Sequence, residues 1–338
     1  MNFALRNSTM WQCCLVLLFC VLTQTARSDV LDYTLPGPYQ VQTFDTEWRD
    51  VVRDRTLPVR VLIPVLGGSL PVVVFSHGLG GSREAGGQWG KLWASYGIVS
   101  LHVQHPGSDS AVWKSAGNRL EAIGSLKRAM NTENLMLRLG DMKFVVDVLT
   151  GKVKGTAEPL PFKVNPAQIG AAGHSFGAVT TQALAGQRFK EAGSGQASFG
   201  EDRFKSFLAL SPSARGKDVE WSFAEVRRPF MSITGTADSV KSLNDVEPEN
   251  RLLPFANMPA GNKYLLVFDG GEHHMFGGGG GGGLSNASPT PARITAAIKA
   301  TTVAFWLSTL TGSDVSKRWL NANEVRSVLE GGDNWQSK

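Results

Sequence analysis

Cysteine is scarce in this chain of 338 residues: only three occur, Cys13, Cys14 and Cys20, all within the first twenty positions. If that stretch is a leader, the remainder holds no disulfide, no cysteine nucleophile and no thiolate metal site, and its stability rests on its core. No dense Lys/Arg run exists to form a nucleic-acid footprint. Nor is there an apolar stretch long enough for a comfortable membrane span. No internal repeat is present. Composition is otherwise ordinary for a globular protein, at 42% hydrophobic and 19% charged, which excludes a fibrous or disordered chain.

The longest apolar run lies at the start. Arg6 precedes Trp11 to Leu22, and polar residues then lead to Ala26-Arg27-Ser28. A basic start, a short apolar centre and a small-x-small site read as a signal peptide over 1–28, cut after Ser28. The expectation is export, to the periplasm or outside the cell. The formal charge of +5 falls to about +3 with the leader removed.

Apolar strands alternating with helical segments dominate the rest. Tyr39 to Phe44 and Val59 to Ile63 read as early strands; Pro71 to Ser76 and Ile98 to Val103 read as strands buried on both faces. Ile169 to Gly173, Phe204 to Leu210, Phe230 to Thr234 and Tyr264 to Phe268 follow. Helical spacing marks Gln88 to Tyr96, Asn134 to Leu149, Ala178 to Ala185 and Pro291 to Leu310. The pattern predicts an α/β class with a mostly parallel sheet of about eight strands flanked by helices, in one domain over 29–338. Gln187 to Asp202 and the seven glycines Gly277 to Gly283 read as mobile segments, and no insertion is long enough for a large lid.

The chemistry centres on Gly173-His174-Ser175-Phe176-Gly177, which follows an apolar strand and precedes a helix. This is a G-x-S-x-G nucleophile elbow in its strand–turn–helix context. Its glycines are needed because side chains there would collide with neighbouring backbone. The turn lifts the Ser175 hydroxyl above the sheet. A serine is a poor nucleophile until a base takes its proton, and in this architecture acid and histidine follow the serine in that order. Asp238 ends the loop after Phe230 to Thr234, and His273 and His274 follow Tyr264 to Phe268, both at strand ends where sites gather. Adjacent histidines point different ways, so one reaches Ser175. His274 is assigned as the base and His273 as a loop residue with a backbone partner. Asp269 is the rival acid, too close in sequence to the histidine to orient its ring.

Acyl transfer also needs two amides for the oxyanion. Phe176, after the nucleophile, supplies one. The turn His77-Gly78-Leu79-Gly80-Gly81 after Pro71 to Ser76 supplies the other, at Leu79, with His77 structural.

The stretches FSHGLGGSRE, YGIVSLHVQHPGSDS and IGAAGHSFGA resemble the α/β-hydrolase superfamily, in particular bacterial dienelactone hydrolase-like enzymes and platelet-activating factor acetylhydrolases. The resemblance covers about Val59 to Leu310. It implies an α/β-hydrolase fold and a Ser-His-Asp carboxylic ester hydrolase with Leu79 and Phe176 as oxyanion donors, and no cofactor or metal. Two departures qualify the substrate. Dienelactone hydrolases use a cysteine nucleophile where Ser175 stands. In plasma-type acetylhydrolases the acid follows the strand after the nucleophile helix, where this chain reads Leu210-Ser211-Pro212-Ser213.

A small-molecule or lipid-like ester is therefore the expected partner, with no nucleic acid and with transient contact to a membrane or polymer surface left open. Phospholipase, acetylhydrolase, polyester-hydrolase and amidase activities stand as alternatives, as does a non-catalytic binding protein with the hydrolase fold. Among other tempting residues, His102 and His105 read as buried and satisfied. His105 to Asp109 is a candidate for lining the pocket mouth. Arg138 and Asp141, three apart on a helix, read as an ordinary ion pair, and Trp89, Trp93 and Trp113 as core.

Overall fold

Six of the apolar segments form the parallel heart of a nine-stranded sheet. The structure, a computed structural model, describes residues 32–153, 160–190, 195–243, 246–279 and 289–338. The leader read at 1–28 lies outside the described residues. Strands β1 (Val41–Asp50) and β2 (Arg55–Pro64) make a hairpin, followed by β3 (Ser69–Ser76), helix α1 (Gly87–Ser95) and β4 (Val99–Val103). Helices α2 (Ala111–Lys114), α3 (Arg119–Ala129) and α4 (Thr132–Leu149) lead to β5 (Lys163–His174) and α5 (Phe176–Ala185). A small hairpin, β6 (Arg188–Lys190) with β7 (Gln196–Ser198), precedes β8 (Phe204–Leu210), α6 (Val219–Phe223), β9 (Phe230–Ala237) and α7 (Leu253–Asn257). Strand β10 (Lys263–Glu272), α8 (Ala292–Leu310), α9 (Asp314–Asn321) and β11 (Asn334–Ser337) complete the chain.

The sheet order is β1-β2-β4-β3-β5-β8-β9-β10-β11. Pairings from β4 to β10 are parallel, while β1, β2 and β11 join antiparallel at the edges. Parallel strands need helical crossovers, and these cover both faces, which is why the central strands read as unbroken apolar runs. In β3 the alternation is explicit. Val72 and Val74 pack into one layer with α4 and α5, and Val73 and Phe75 into the other with α1 and α8.

The expected helices are present with ends shifted by a residue or two. Edge strand β11 was not expected: it has four residues and one apolar side chain, Trp335, which stacks on Tyr264. Of the segments read as mobile, 191–194 and 280–283 lie outside the described residues. The first glycines of the run are docked, with Gly277 and Gly278 carbonyls accepting from the Gly86 and Gln88 amides at 2.9 and 3.0 Å. A Cβ on Gly278 would stand 2.4 Å from the Trp89 ring, so glycine there serves a close approach.

Candidate active site

Parallel register gathers the loops. Ser76 pairs with Gly173, His174 with Leu210, Leu210 with Ile233, and Glu272 with Ala237. The residues following these strand ends therefore converge at the carboxyl edge of the sheet.

Ser175 has φ 55° and ψ −113°, a left-handed strained conformation at the N-terminus of α5. The flanking glycines make it possible. A Cβ on Gly173 would lie 2.2 Å from the Gly177 carbonyl oxygen, and one on Gly177 would lie 1.9 Å from that of Ser76. No side chain fits either position without moving backbone.

The histidine beside Ser175 is not the expected one. His273, not His274, faces the serine: its Nε2 lies 2.9 Å from Ser175 Oγ and its Nδ1 2.6 Å from Asp238 Oδ1. The reason is register. Glu272 is paired with Ala237 after an irregularity between Phe268 and Glu272, so the next residues on the two strands, His273 and Asp238, come side by side. His274 turns away, its Nδ1 3.5 Å from Glu272 Oε2, and lines a neighbouring cleft. The His273 ring therefore has side-chain partners and not the expected backbone one; its own carbonyl accepts the Nε2–H of His174 at 3.0 Å. Burial, aided by the neighbouring His273, pushes His174 down to about 3, so it stays neutral and donates.

Asp238 is fully buried. Burial alone would raise its pKa, but the His273 hydrogen bond and charge, Arg251 and the Thr234 hydroxyl outweigh it and hold the carboxyl at about 2. Thr234 Oγ1 donates to Oδ2 at 2.7 Å. Arg251, itself buried, lies 3.3 Å from Oδ1 and donates to the carbonyls of Asp238 and Ser211. The rival Asp269 is exposed and meets Thr236 instead.

The His77–Gly81 turn sits against the elbow: a Cβ on Gly78 would be 3.5 Å from Ser175 Cβ. Leu79, Ser175, Phe176 and His273 line one cleft of about 550 Å³, which continues between Val179, Trp221 and Phe223. A second cleft, of about 770 Å³, shares Leu79, Ser175 and His273 and runs toward Trp113, Leu126 and His274. Ser175 thus sits where two arms meet. Among the described residues no His/Cys/Asp/Glu group is placed to hold a metal ion, and no helix is long and apolar enough to cross a membrane.

Several other expectations need correcting. Arg138 and Asp141 are not partnered with each other on a solvated face; both are fully buried. Asp141 binds Arg53, Arg55 and His105, and Arg138 binds the carbonyl of His77. A helical-period signal was present, since Arg138 falls between Leu135 and Met142 on the apolar stripe of α4. His105 to Asp109 does not line either cleft. It lies behind the His77–Gly81 turn, where the Ser108 carbonyl accepts from Gly80 N at 2.9 Å. Trp113 lines the second cleft and donates to the Gly80 carbonyl at 2.7 Å, whereas Trp89 and Trp93 are core. Arg251 carried no signal, lying in a polar loop. His102 is buried and satisfied as expected, by Ala85 O and Ser100 Oγ.

Comparison with curated protein sequences gives no match. Residues 49–123 match the family model of platelet-activating factor acetylhydrolase, isoform II. That segment carries β2 to β4 and the His77–Gly81 turn, so this part of the chain is acetylhydrolase-like and the whole is α/β with a mostly parallel sheet, as in α/β-hydrolases.

Proposed function

We propose that this chain is an exported serine hydrolase that cleaves carboxylic esters through Ser175, His273 and Asp238. The observation that carries the reading is the continuous hydrogen-bonded line from Ser175 Oγ through the His273 ring to the buried Asp238, at 2.9 and 2.6 Å, opening onto a cleft. A buried carboxylate on Nδ1 fixes the tautomer that leaves Nε2 free to take a proton.

As Ser175 Oγ attacks the ester carbonyl carbon, His273 Nε2 takes its proton and the carbonyl electron pair moves onto oxygen. The Leu79 and Phe176 amides hold that oxyanion. Collapse breaks the bond to the alcohol oxygen, which leaves with the proton from His273. Water then gives a proton to His273 and adds to the acyl carbon. The second collapse frees the carboxylic acid and returns the proton to Ser175. No step calls for a cofactor.

The 550 Å³ cleft supports a substrate class. Its walls are mostly apolar, and five cations, Arg188, Lys190, Arg215, Lys217 and Arg251, line it against one carboxylate, Asp218, which pairs with Lys190 at 2.7 Å. An apolar group ending in an anion suits such a cleft. The test is turnover of p-nitrophenyl esters carrying a carboxylate in the acyl part or in the alcohol part, against neutral isosteres. Hydrolysis that disappears in Ser175→Ala, with an anionic ester preferred several-fold and the preference shrinking in salt, is expected. Equal turnover by Ser175→Ala overturns the catalytic assignment. Equal kcat/KM for anionic and neutral esters overturns the substrate class.

A further inference from the structure

A second Ser–His–Asp constellation lies behind the first and is sealed from solvent. Ser76 Oγ is 3.0 Å from His105 Nε2, and His105 Nδ1 is 3.0 Å from Asp141 Oδ2; all three residues are buried. Neither of the two clefts is lined by Ser76, and with all three side chains buried this relay is read as structural. It ends on Arg138, which is fully buried and whose Nη1 is 3.3 Å from Ser76 Oγ. A buried guanidinium is costly unless its donors are used, and beyond Ser76 they turn to the backbone of the His77–Gly78 turn and to Ser108. Nη1 donates to His77 O at 2.6 Å, Nη2 to Gly78 O at 3.4 Å and to Ser108 O at 3.4 Å, and Nε to Ser108 Oγ at 2.8 Å. The face of the guanidinium rests on the Phe176 ring, 4.5 Å from its centroid.

These contacts converge on one peptide. The Gly78 carbonyl and the Leu79 N–H belong to the same planar unit, so fixing the oxygen fixes the direction of the amide. The oxygen is held by three donors, one of them the Gly81 amide at 3.0 Å. His77 Nε2 accepts from the His105 amide at 3.0 Å, which leaves the proton on Nδ1, and Nδ1 donates to Gly78 O at 2.6 Å. Arg138 adds the third donor, the one among them that also reaches His77 O and Phe176. The other oxyanion amide belongs to Phe176, whose side chain is the platform under the same guanidinium.

We propose that Arg138 is a positioning residue for the oxyanion hole, holding the Gly78–Leu79 peptide and Phe176 in one rigid arrangement from the side opposite the substrate. The inference rests on the oxyanion reading above. Arg138 touches no substrate; it acts through Leu79 and Phe176.

The test uses Arg138→Met and Arg138→Lys in the full chain, with active sites counted by fluorophosphonate titration. Rates are then expressed per folded, reactive Ser175. Loss of one oxyanion donor costs about 10²–10³-fold in kcat in serine hydrolases, so misalignment of two donors is expected to cost roughly 10–100-fold. Arg138→Met should show that loss in kcat with KM within about threefold, and an equal loss of affinity for an alkylboronic acid, whose serine adduct presents an oxyanion. Arg138→Lys, which keeps the charge but not the fork, should recover part of it. It is the decisive variant if Arg138→Met does not fold. Unchanged kcat per titrated site with only a lower Tm would overturn the proposal and leave a purely structural arginine. Failure of wild-type protein to titrate at all would instead overturn the hydrolase reading itself.

Discussion

Replacing each of the two neighbouring histidines by alanine should give effects that differ by several orders of magnitude. His273 accepts from Ser175 Oγ at 2.9 Å and is oriented by Asp238 at 2.6 Å, so no other imidazole reaches that hydroxyl. Removing the base from a serine–histidine unit costs roughly 10⁴–10⁶-fold in kcat, equivalent to about 5–8 kcal/mol. His274 is about a quarter exposed and meets Glu272 at 3.5 Å. A pair of that kind contributes about 1 kcal/mol or less, so His274→Ala should stay within about fivefold of wild type. The assay is p-nitrophenyl ester turnover at fixed pH, with far-UV circular dichroism to establish that both variants are folded. A folded His274→Ala protein that loses more than a hundredfold while His273→Ala keeps its activity would refute the register reasoning.

The elbow and the buried charges give two further predictions. Gly177→Ala would drive a Cβ to 1.9 Å from the Ser76 carbonyl oxygen, a backbone clash that no rotamer relieves. A loss of about 3 kcal/mol or more is expected in chemical denaturation, with activity falling alongside, and an unchanged midpoint would contradict it. Acid should destabilise the protein in two stages. Burial lowers His102 and His105 from 6.5 to about 4 and His174 to about 3, so the unfolded chain binds protons there first, and stability falls by up to about 3 kcal/mol per histidine as pH drops from 6.5 to 4. Asp141 and Asp238, both at about 2, then lose their stabilising contribution as pH falls from about 4 through 2. Denaturant midpoints at pH 8, 5 and 3 should decrease in that order; a flat series would contradict the buried assignments.

Much of this was legible before the structure. Pro71 to Ser76 and Ile98 to Val103 announced strands buried on both faces because helices cover both sides of the sheet. The two elbow glycines announced the turn because backbone crowds them. Asp238 could be chosen because strand ends in a parallel sheet share one edge. The choice between His273 and His274 was different in kind. It depends on a strand irregularity between Phe268 and Glu272 that moves the pairing, and one residue of slip exchanges the two side chains. Arg138 and Asp141 were misread because an i, i+3 pair of opposite charges usually faces water. Their place on the apolar stripe of α4 was the contrary signal, and the buried partners that satisfy them come from loops far away in sequence. Arg251 and β11 gave no pattern to read.

The central claim is that Ser175 is a nucleophile activated by His273. A fluorophosphonate probe, with the modified peptide identified by mass spectrometry, tests it most directly. The account predicts one adduct per chain on Ser175, abolished in Ser175→Ala and strongly slowed in His273→Ala. An unlabelled Ser175 in folded protein, or labelling undiminished by the loss of His273, would contradict it.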